Sequence, residues 1–532
     1  MNIEQHRINI SKERTLKKLP KNIELNLISD DFELKTKPMR TQSGVAPVAI
    51  MTEPRECLHG TCTFCPGGVN SYFGSVPKSY TGNEPASMRA IRNKFDAYLQ
   101  VFNRLEHYVL LGQIPEKVEL IIMGGTFLSY PVEYQDNFIR DAFQAMNDFG
   151  ELFFENGKLD KNKFKEFFNF DLEFKSEERT KLIHEKLLSL KKEIKLEEEQ
   201  IKNETAKIRC VALVVETKPD WCFEEHINQA LKLGATRIEV GVQSLDDGVL
   251  KKVNRGHTVA DTIKSFESLK NAGYKVTAHW MLGLPDVDPK DEVENFKKLF
   301  SDSRFRPDGL KIYPCMVMPG TPLYRQYQKG LFRPLRTKEA AEIVAECKRF
   351  IPKYTRVYRI NRDIPTKVTI DGIGLTNFRQ IVHELMKEKD IKCECIRCRE
   401  PRDKNVNWDN VKLNRIDYEA SNGKEIFLSF DDDDMLLGFL RLRFPNKSFR
   451  NEITGDSAIV REIHVYGEAA SIGKKGEIQH RGIGKKLMEE AENISKESGK
   501  NKIVIISGIG VKEYFYKLGY KNDGVYVSKS WR

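Results

Sequence analysis

Short runs of apolar residues recur through the middle of the chain, and stretches with helical periodicity separate most of them. Each run is apolar at most positions rather than at alternate ones, which is typical of parallel strands buried on both faces. The chain therefore predicts an α/β fold, a partial (β/α)6 barrel that is open on one side for a large substrate. The six expected strands are Ala46–Met51, Val118–Met123, Arg209–Val215, Arg237–Val242, Lys275–Leu282 and Gly309–Tyr313.

Small and polar residues follow these strands, at the ends where an α/β barrel builds its active site. Gly124, Gly125 and Thr126 come after the second strand, Glu216 after the third and Gln243 after the fourth. Each of them alone could belong to an ordinary turn between a strand and a helix. Their recurrence after successive strands favours one shared site, with these residues as candidate cofactor contacts.

Two regions depart from this pattern. Residues 151–203 are rich in Phe, Lys and Glu with helical periodicity, which predicts a solvated helical insertion in the barrel. Nearer the C-terminus, Glu425–Phe430 and Leu436–Arg443 predict a hairpin, and Ala458–Tyr466 predicts a longer strand. Antiparallel strands of this kind, followed by an amphipathic helix, indicate a separate mixed α+β domain.

The chain is accordingly divided into four parts. We expect a basic N-terminal arm over residues 1–45, the barrel over 46–390, a cysteine-bearing linker over 391–414 and the α+β domain over 415–532. A chain of 532 residues is too long for a single hydrophobic core, which agrees with more than one domain.

Composition indicates a globular protein, with 40% hydrophobic and 31% charged residues. No apolar run is long enough for a membrane span and no secretory signal is evident, so a cytoplasmic location is expected. The net charge of +10 is compatible with a nucleic-acid partner. The basic residues of Met1–Asn22 fit either a solvated helix or an arm that contacts phosphates, and Arg89 and Arg92 present the same two alternatives.

Three cysteines follow the first predicted strand. Cys57, Cys62 and Cys65 are separated by gaps of four and two residues. This set can bind three irons of a 4Fe-4S cluster and leave the fourth iron open to a substrate. A zinc knuckle without its fourth ligand and a disulfide loop are the alternatives. Phe64 and the glycines after Cys65 favour the cluster, as in radical enzymes that cleave S-adenosylmethionine.

A second group of cysteines lies in the predicted linker. Cys393, Cys395 and Cys398 fall within six positions, which suits a structural zinc site rather than disulfides in a reducing compartment. Such a site needs a fourth ligand, for which Cys315, Cys347 and His383 are the candidates, and we favour Cys315. Three unligated cysteines on a basic loop are the alternative.

Glycines begin the amphipathic helix of the last domain. Gly482, Ile483, Gly484 and Lys485 form its predicted first turn, where free backbone N–H groups and the helix dipole favour a pyrophosphate. Together with the strand Lys502–Ser507 and the segment after it, this turn resembles the acyl-CoA-binding fold of the GNAT-type N-acetyltransferases. A nucleotide-binding turn of another fold is the alternative.

A radical S-adenosylmethionine barrel fused to an acetyltransferase domain resembles the family of catalytic Elongator subunits, in the archaeal or bacterial stand-alone form. The similarity extends over nearly the whole chain. It includes Lys78–Arg92, Met123–Phe127, Glu216–Asp220 and Arg461–Gly467, besides the cysteine and glycine motifs. The resemblance implies an enzyme that makes 5-carboxymethyluridine at the wobble position of tRNA from acetyl-CoA, by radical S-adenosylmethionine chemistry.

The resemblance also implies roles for individual residues. Cys57, Cys62 and Cys65 would hold the cluster, and Lys117 would reach acetyl-CoA from the barrel as part of the catalytic site. This chain has Tyr514–Phe515 where the family usually has two adjacent tyrosines, so a role for a second phenol is in doubt. The acetyl-CoA contacts it implies in the last domain are Glu462, Ile463, His464, Val465, Gly482, Ile483, Gly484, Lys485, Tyr514 and Phe515.

The expected cofactors and co-substrates are a 4Fe-4S cluster, S-adenosylmethionine, acetyl-CoA and zinc, and the expected partners are a tRNA anticodon loop and an electron donor. A homo-oligomer is possible. The alternative function is a protein lysine acetyltransferase with a structural iron-sulfur cluster and Glu462 as general base. A non-catalytic RNA-binding scaffold is a further alternative, although an open iron is a poor structural choice.

Overall fold

A computed structural model describes residues 8, 11, 12, 25, 26 and 44–531, except 174, 175, 376, 403 and 467–480. Most of the N-terminal arm lies outside these residues, so the two alternatives for Met1–Asn22 stay predictions. Across the described residues, no helix is both long and apolar enough to cross a membrane.

The larger part of the chain forms an open barrel of seven parallel strands in sequential order, which confirms the predicted partial barrel. The six expected strands are all present. The seventh was not predicted, because two arginines interrupt its apolar pattern and it lies at an edge. The strands are β1 Val45–Met51, β2 Lys117–Met123, β3 Arg209–Thr217, β4 Arg237–Gln243, β5 Lys275–Leu282, β6 Gly309–Pro314 and β7 Arg356–Ile360.

Helices cover the outside of the barrel and bury their apolar faces against the strands. Two short hairpins, Gly68–Ser71 with Gly74–Val76 and Phe154–Glu155 with Lys158–Leu159, accompany them. The helices are Pro85–Arg92, Ala97–Leu110, Val132–Phe153, Lys161–Phe167, Glu177–Leu190, Leu196–Thr205, Glu224–Lys232, Asp247–Lys252, Val259–Asn271, Glu292–Ser301, Pro322–Gln328, Thr337–Cys347 and Phe378–Glu388, with the short Ile396–Arg399 after them.

The region predicted as a solvated insertion adds a group of aromatic residues to the core of the barrel. Phe153, Phe164 and Phe168 are fully buried, and the rings of Phe153 and Phe164 lie 5.3 Å apart in an edge-on arrangement. The phenylalanines of this stretch therefore extend the core, while most of its charged residues face solvent, with Arg179 and Glu199 buried.

The second sheet follows the barrel and contains seven strands. Of its six neighbouring strand pairs, one is parallel and the other five are antiparallel. Its first strand was not predicted, because polar and charged residues occupy most of its exposed face. The helices Ile483–Glu497 and Lys512–Tyr516 belong to this domain. Its strands are β8 Val411–Ala420, β9 Gly423–Asp432, β10 Met435–Pro445, β11 Ser457–Val465, β12 Lys502–Ile505, β13 Lys521–Asp523 and β14 Tyr526–Ser530.

A buried ionic network joins the two domains. Arg461 of the second sheet donates to both carboxylate oxygens of Asp308, which precedes β6, at 2.7 Å each, and to Glu425 at 2.8 Å. Burial would raise the pKa of Asp308, but Arg461 and Lys270 outweigh it and hold that pKa below its usual range. Separating the partners of a buried ion pair would leave uncompensated charges, which is costly. This network therefore holds the two domains in one fixed arrangement.

Candidate active site in a cavity between two domains

A single cavity of about 1650 Å³ extends from the three-cysteine loop above the barrel strands, through the barrel, to the first turn of helix Ile483–Glu497. Cys57, Cys62 and Cys65 line one end of it, which we call the cluster end. Glu462–Val465 and Gly482–Lys485 line the other, which we call the acetyl end. Residues that are far apart in sequence thus line one continuous cavity.

The cluster end is shaped by a loop that holds its thiols apart. Among the described residues, two sets of three candidate ligand atoms lie within 4.8 Å of one another, and Cys57, Cys62 and Cys65 form neither. A single zinc ion would need thiolates about 3.8 Å apart, from Zn–S bonds of about 2.3 Å. The spacing fits a larger group such as a 4Fe-4S cluster and disfavours the zinc knuckle.

Basic side chains surround these thiols. Arg255 Nη1 lies 3.4 Å from Cys62 Sγ, and the backbone N–H of Ser79 donates to Cys65 Sγ at 3.2 Å. Burial and the neighbouring Cys65 and Cys62 raise the pKa of the Cys57 thiol to about 11. Three thiols that oppose each other's ionisation, set among cations, are stabilised when a metal group takes up their negative charge.

Lys78 and Lys218 complete the basic surroundings. Lys78 Nζ donates to Thr61 Oγ1 at 3.1 Å and pairs with Glu56 at 2.6 Å, and Lys218 Nζ lies 3.0 Å from His59 Nδ1. None of the three cations Lys78, Lys218 and Arg255 was predicted as part of the site. Lys78 and Lys218 lie in the stretches Lys78–Arg92 and Glu216–Asp220 quoted above, but the sequence did not show that these stretches and Arg255 come together around the thiols.

The residues that follow β2 have two different roles, one in lining the cavity and one in packing. Gly125 and Thr126 line the cavity, whereas Gly124 does not. Gly124 has a φ of 134°, and a Cβ there would collide with Thr52 Oγ1, so this glycine allows close packing of β1 against the turn. Gly67 acts in the same way, because a Cβ on it would collide with the carbonyl oxygen of Pro77.

Gln243 and Glu216 present polar atoms to the cavity. Gln243 has a φ of 68°, and its Oε1 is buried without a hydrogen-bond partner in the described part of the chain. Strained backbone and an unpaired acceptor are typical of a ligand contact. Glu216 Oε2 accepts a hydrogen bond from the Tyr80 hydroxyl at 2.9 Å. Both residues therefore fit the predicted contact with a cofactor, which stays a prediction.

At the acetyl end, two parallel strands diverge. Strand β11 pairs with β12 only from Ser457 to Val460, while it pairs with β10 as far as Val465. Residues 461–465 therefore leave one backbone edge open beside the cavity. An extended amide-bearing chain such as pantetheine can add to such an edge as a strand does.

The helix that begins after Gly482 points its free N–H groups at the same opening. Gly482 has a φ of 81° and no side chain caps the helix. A Cβ at Gly484 would lie 3.1 Å from the Tyr514 hydroxyl. The turn therefore keeps the form predicted for an anion site, and a larger residue at position 484 would be crowded.

The two aromatic residues after it are placed differently. Tyr514 is 38% exposed with its hydroxyl beside Gly484, whereas Phe515 is 2% exposed and packs in the core of the domain. Both residues line the cavity, but Tyr514 is the one that brings a hydroxyl to the Gly484 turn, whereas a phenol at position 515 would extend from a ring that packs in the core.

Glu462 is bound by two cations. It accepts from Lys275 at 2.5 Å and from Arg441 at 2.8 Å. Burial would raise the pKa of Glu462, but Lys275 and Arg441 outweigh it and bring that pKa to about 2. A carboxylate with so low a pKa is a poor general base at neutral pH.

Lys117 lies at the floor of the barrel, facing the acetyl end. It begins β2 and is paired in register with Arg209, which begins β3, and both line the cavity. Partial removal from water and the charge of Arg209 lower the pKa of Lys117. No carboxylate pairs with either side chain among the described residues, so the two cations are available to an anion.

Cys393, Cys395 and Cys398 form a tight group whose sulfur atoms lie within 4.8 Å of one another. Burial lowers the pKa of Lys348, but the three thiols raise it above its usual value, and Lys348 Nζ lies 3.7 Å from Cys398 Sγ. This spacing suits a mononuclear zinc site, which stays a prediction. The favoured fourth ligand was wrong: Cys315 packs with Cys62 and Cys65 at the cluster end instead.

Arg89 also differs from expectation. It is buried and donates to the carbonyl oxygen of Ala49 at 2.7 Å, so it faces the barrel wall rather than solvent, whereas Arg92 is exposed. Burial and the charge of Arg104 lower the pKa of Arg89 to about 10.

Comparison with known proteins agrees with this division of the chain. Residues 54–299 match the Radical SAM superfamily, 307–388 the Radical_SAM C-terminal domain and 390–520 the Acetyltransferase (GNAT) family. The tRNA uridine(34) acetyltransferase of Methanocaldococcus infernus is 46% identical over 93% of this chain and 87% of its own length. The chain belongs to the Elongator complex protein 3 family.

Other members show the same extent of similarity. Elongator complex protein 3 of Saccharomyces cerevisiae is 38% identical over 98% of this chain and 90% of its own length. The solved structure of Methanocaldococcus infernus Elp3 with an N-terminal deletion is 41% identical to this chain. It superposes with a TM-score of 0.74 and covers 92% of this chain and 100% of that one. A radical SAM barrel followed by a GNAT domain is thus the fold of this Elongator complex protein 3 family member.

Proposed function

We propose that this chain modifies the wobble uridine of tRNA to 5-carboxymethyluridine, with acetyl-CoA as the carbon donor and S-adenosylmethionine as the radical source. The cavity that joins the three cysteines to the acetyl-CoA turn supports this proposal most directly. Relatives over nearly the full length of the chain are named tRNA uridine(34) acetyltransferase, which supports tRNA as the substrate.

The residues at the cluster end fit a 4Fe-4S group and its cofactor. Cys57, Cys62 and Cys65 would hold the cluster, and Gln243 and Glu216 would contact S-adenosylmethionine. When bound, such a cluster supplies the electron that cleaves S-adenosylmethionine and so makes hydrogen abstraction from an unactivated carbon possible. Arg255, Lys218 and Lys78 offset the negative charge that this end must hold.

At the acetyl end the chain binds and orients the donor. The N–H groups of the turn Gly482–Lys485 face the pyrophosphate, and the open edge of β11 faces the pantetheine chain. Lys117 and Arg209 attract the anionic co-substrate toward the floor of the barrel. The thioester is thereby directed into the barrel and away from bulk solvent.

The arrangement favours this function over lysine acetylation. A lysine acetyltransferase requires a base that accepts a proton from an incoming amine, and Glu462 is held ionised by Lys275 and Arg441 with a pKa of about 2. Eleven arginines and six lysines also line the cavity, against six acidic residues, as an RNA strand would require.

A labelled donor tests the proposal. Reduced protein would be incubated with tRNA, S-adenosylmethionine and acetyl-CoA whose methyl group carries deuterium. We expect deuterium in 5′-deoxyadenosine, because the methyl group must lose a hydrogen before it joins the base, and ordinary acetyl transfer never breaks that bond. Modified tRNA accompanied by unlabelled 5′-deoxyadenosine would contradict the proposal.

A further inference from the structure

A group of charged side chains lies on the barrel wall between the two ends of the cavity. Glu239, His279 and Lys311 stand on the neighbouring strands β4, β5 and β6, and His279 is directly opposite Lys311 in the register. His279 Nε2 lies 3.0 Å from Glu239 Oε2, and Lys311 forms an ion pair with the same carboxylate. None of these three residues belongs to the motifs described above.

Strand β5 fixes the depth of His279 in the cavity. Its first residue, Lys275, contacts Glu462 at the acetyl end, and Met281 packs with Cys62 and Cys65 at the cluster end. His279 is four residues beyond the first contact and two before the second, which is about 13 Å and about 7 Å at the rise of a strand. It lines the cavity between the two.

The hydrogen bonds assign the tautomer of His279. Glu239 is ionised, because Lys311 and Arg237 outweigh the effect of its burial and hold its pKa well below the usual range. An ionised carboxylate can only accept, so Nε2 carries the hydrogen and Nδ1 carries the free lone pair. An imidazole oriented by a carboxylate in this way is the arrangement of a general base.

The other groups that face His279 keep it neutral. Burial lowers its pKa, and Lys311 lowers it further, against the opposing effects of Glu239 and Glu216. The ring of Tyr313 lies edge-on at 5.5 Å and carries no charge at neutral pH. The imidazole is therefore ready to accept a proton.

A metal ion is a less suitable occupant of this group. Glu216, Glu239 and His279 present ligand atoms within 4.8 Å of one another. The ammonium of Lys311, however, already pairs with Glu239 and lies 3.7 Å from Glu216. A cation of the chain itself thus fills the position that a metal would take.

We propose that His279 is the general base that activates water to cleave the thioester, with Glu239 and Lys311 as positioning residues. This inference rests on the proposed function. Once the methyl carbon is joined to the uracil ring, the next carbon is the thioester carbonyl carbon. With the uracil held toward the cluster end and coenzyme A at the acetyl end, that carbonyl must lie between them, at the depth of His279.

The step balances without an oxidant or a reductant. His279 Nδ1 takes a proton from water as the water oxygen bonds to the thioester carbonyl carbon. The carbon–sulfur bond then breaks, and the imidazolium returns the proton to the leaving sulfur of coenzyme A. The carboxylic acid that remains releases its own proton to solvent, which leaves the carboxymethyl group.

The test measures coenzyme A thiol and 5′-deoxyadenosine separately, in the full-length protein with tRNA, S-adenosylmethionine and acetyl-CoA. In His279→Gln we expect the ratio of thiol to 5′-deoxyadenosine to fall about a hundredfold or more, the usual contribution of a general base. The matched control His184→Gln lies on the helix Glu177–Leu190, outside the cavity lining, and should keep the wild-type ratio. An unchanged ratio in His279→Gln would overturn the proposal.

Two further readouts separate proton transfer from a structural role. Added imidazole should restore thiol release in His279→Gly, and failure of rescue in a folded variant that binds acetyl-CoA would count against the proposal. In Lys311→Met the acidic limb of the pH profile for thiol release should move to higher pH, because the cation that lowers the pKa of His279 is gone. A slower rate without that movement would show that Lys311 only supports the fold.

The wild-type protein distinguishes failure of this inference from failure of the proposed function. If wild type transfers no deuterium from labelled acetyl-CoA, the proposed radical function fails. A drop in thiol release in His279→Gln would then still support His279 as the base of a simple thioesterase. If wild type transfers deuterium and His279→Gln releases thiol normally, the base assignment alone fails.

Discussion

The two ends of the cavity bind their groups by different physical means. The cluster end is made of loops, and its ligands are three thiols surrounded by the side-chain cations Lys78, Lys218 and Arg255. The acetyl end is made of regular structure, and it offers backbone groups: the first turn of a helix and the open edge of β11. At the cluster end the contacts depend on individual side chains, whereas at the acetyl end the main-chain N–H groups of the turn and of β11 supply most of them, assisted by the cations Lys117 and Arg209.

This difference predicts how each end responds to substitution. Loss of one side chain should abolish the function of the cluster end. At the acetyl end only a change that obstructs the backbone should have a large effect, and the removal of single side chains should be tolerated.

The largest expected effect is at the cluster end. Cys62→Ser should eliminate the iron chromophore and the reductive cleavage of S-adenosylmethionine, because two thiols cannot hold the cluster. Iron content, visible absorbance and 5′-deoxyadenosine formation measure this. The fold and most of the tRNA affinity should remain, since phosphate contacts are spread over many cations.

Cys395→Ser is the matched control for that change, because it removes a thiol from the other three-cysteine group. It should keep the iron and the chromophore, lose bound zinc and lower the melting temperature. Equal iron loss in both variants would show that the two cysteine groups do not have separate roles.

Obstruction of the helix turn should have the next largest effect. Gly484→Leu places a side chain where even a Cβ lies 3.1 Å from the Tyr514 hydroxyl. We expect acetyl-CoA affinity to fall at least tenfold, and deuterium transfer to 5′-deoxyadenosine to fall with it. Gly455→Leu, in a loop of the same domain with open space around it, should change neither quantity. If both variants bind acetyl-CoA normally, the turn is not its pyrophosphate site.

Glu462 gives a pH-dependent effect on stability. Its pKa is lowered from 4.5 to about 2 by Lys275 and Arg441 against the effect of burial, so its ionised form stabilises the folded state. That contribution, on the order of 3 kcal/mol, is complete above about pH 4.5 and is lost as the pH falls toward 2. The difference in unfolding free energy between wild type and Glu462→Gln should therefore narrow from pH 6 to pH 3.

Urea unfolding at several pH values measures this difference. Glu489→Gln is the control, because Glu489 forms an exposed pair with Lys485 that should contribute less than about 1 kcal/mol. If the difference in unfolding free energy between wild type and Glu462→Gln stays constant with pH, Glu462 is not held ionised by its neighbours.

The amount that sequence alone could predict differs between regions for physical reasons. Continuous apolar runs identified β1 to β6, but β7 carries Arg356 and Arg359 and was missed. The cysteine and glycine motifs could be recognised because their ligands are adjacent in the chain. Glu239 and His279 could not, since each is a polar residue inside a mostly apolar run, and only the pairing of β4 with β5 brings the two together. A buried charge in a predicted strand was the available sign.

The smallest expected effect concerns the floor of the barrel, where a single side chain faces the acetyl end. Lys117→Ala should raise the Kd for acetyl-CoA about three- to tenfold, because one cation is lost and the neighbouring Arg209 keeps part of the attraction. The loss should shrink as salt is added, since exposed charges are screened. Lys207→Ala is the control: Lys207 pairs with Glu116 at 2.7 Å, outside the cavity lining, and should leave the Kd unchanged. Equal weakening in both variants would mean that acetyl-CoA responds to the general positive field of the protein rather than to the floor of the barrel.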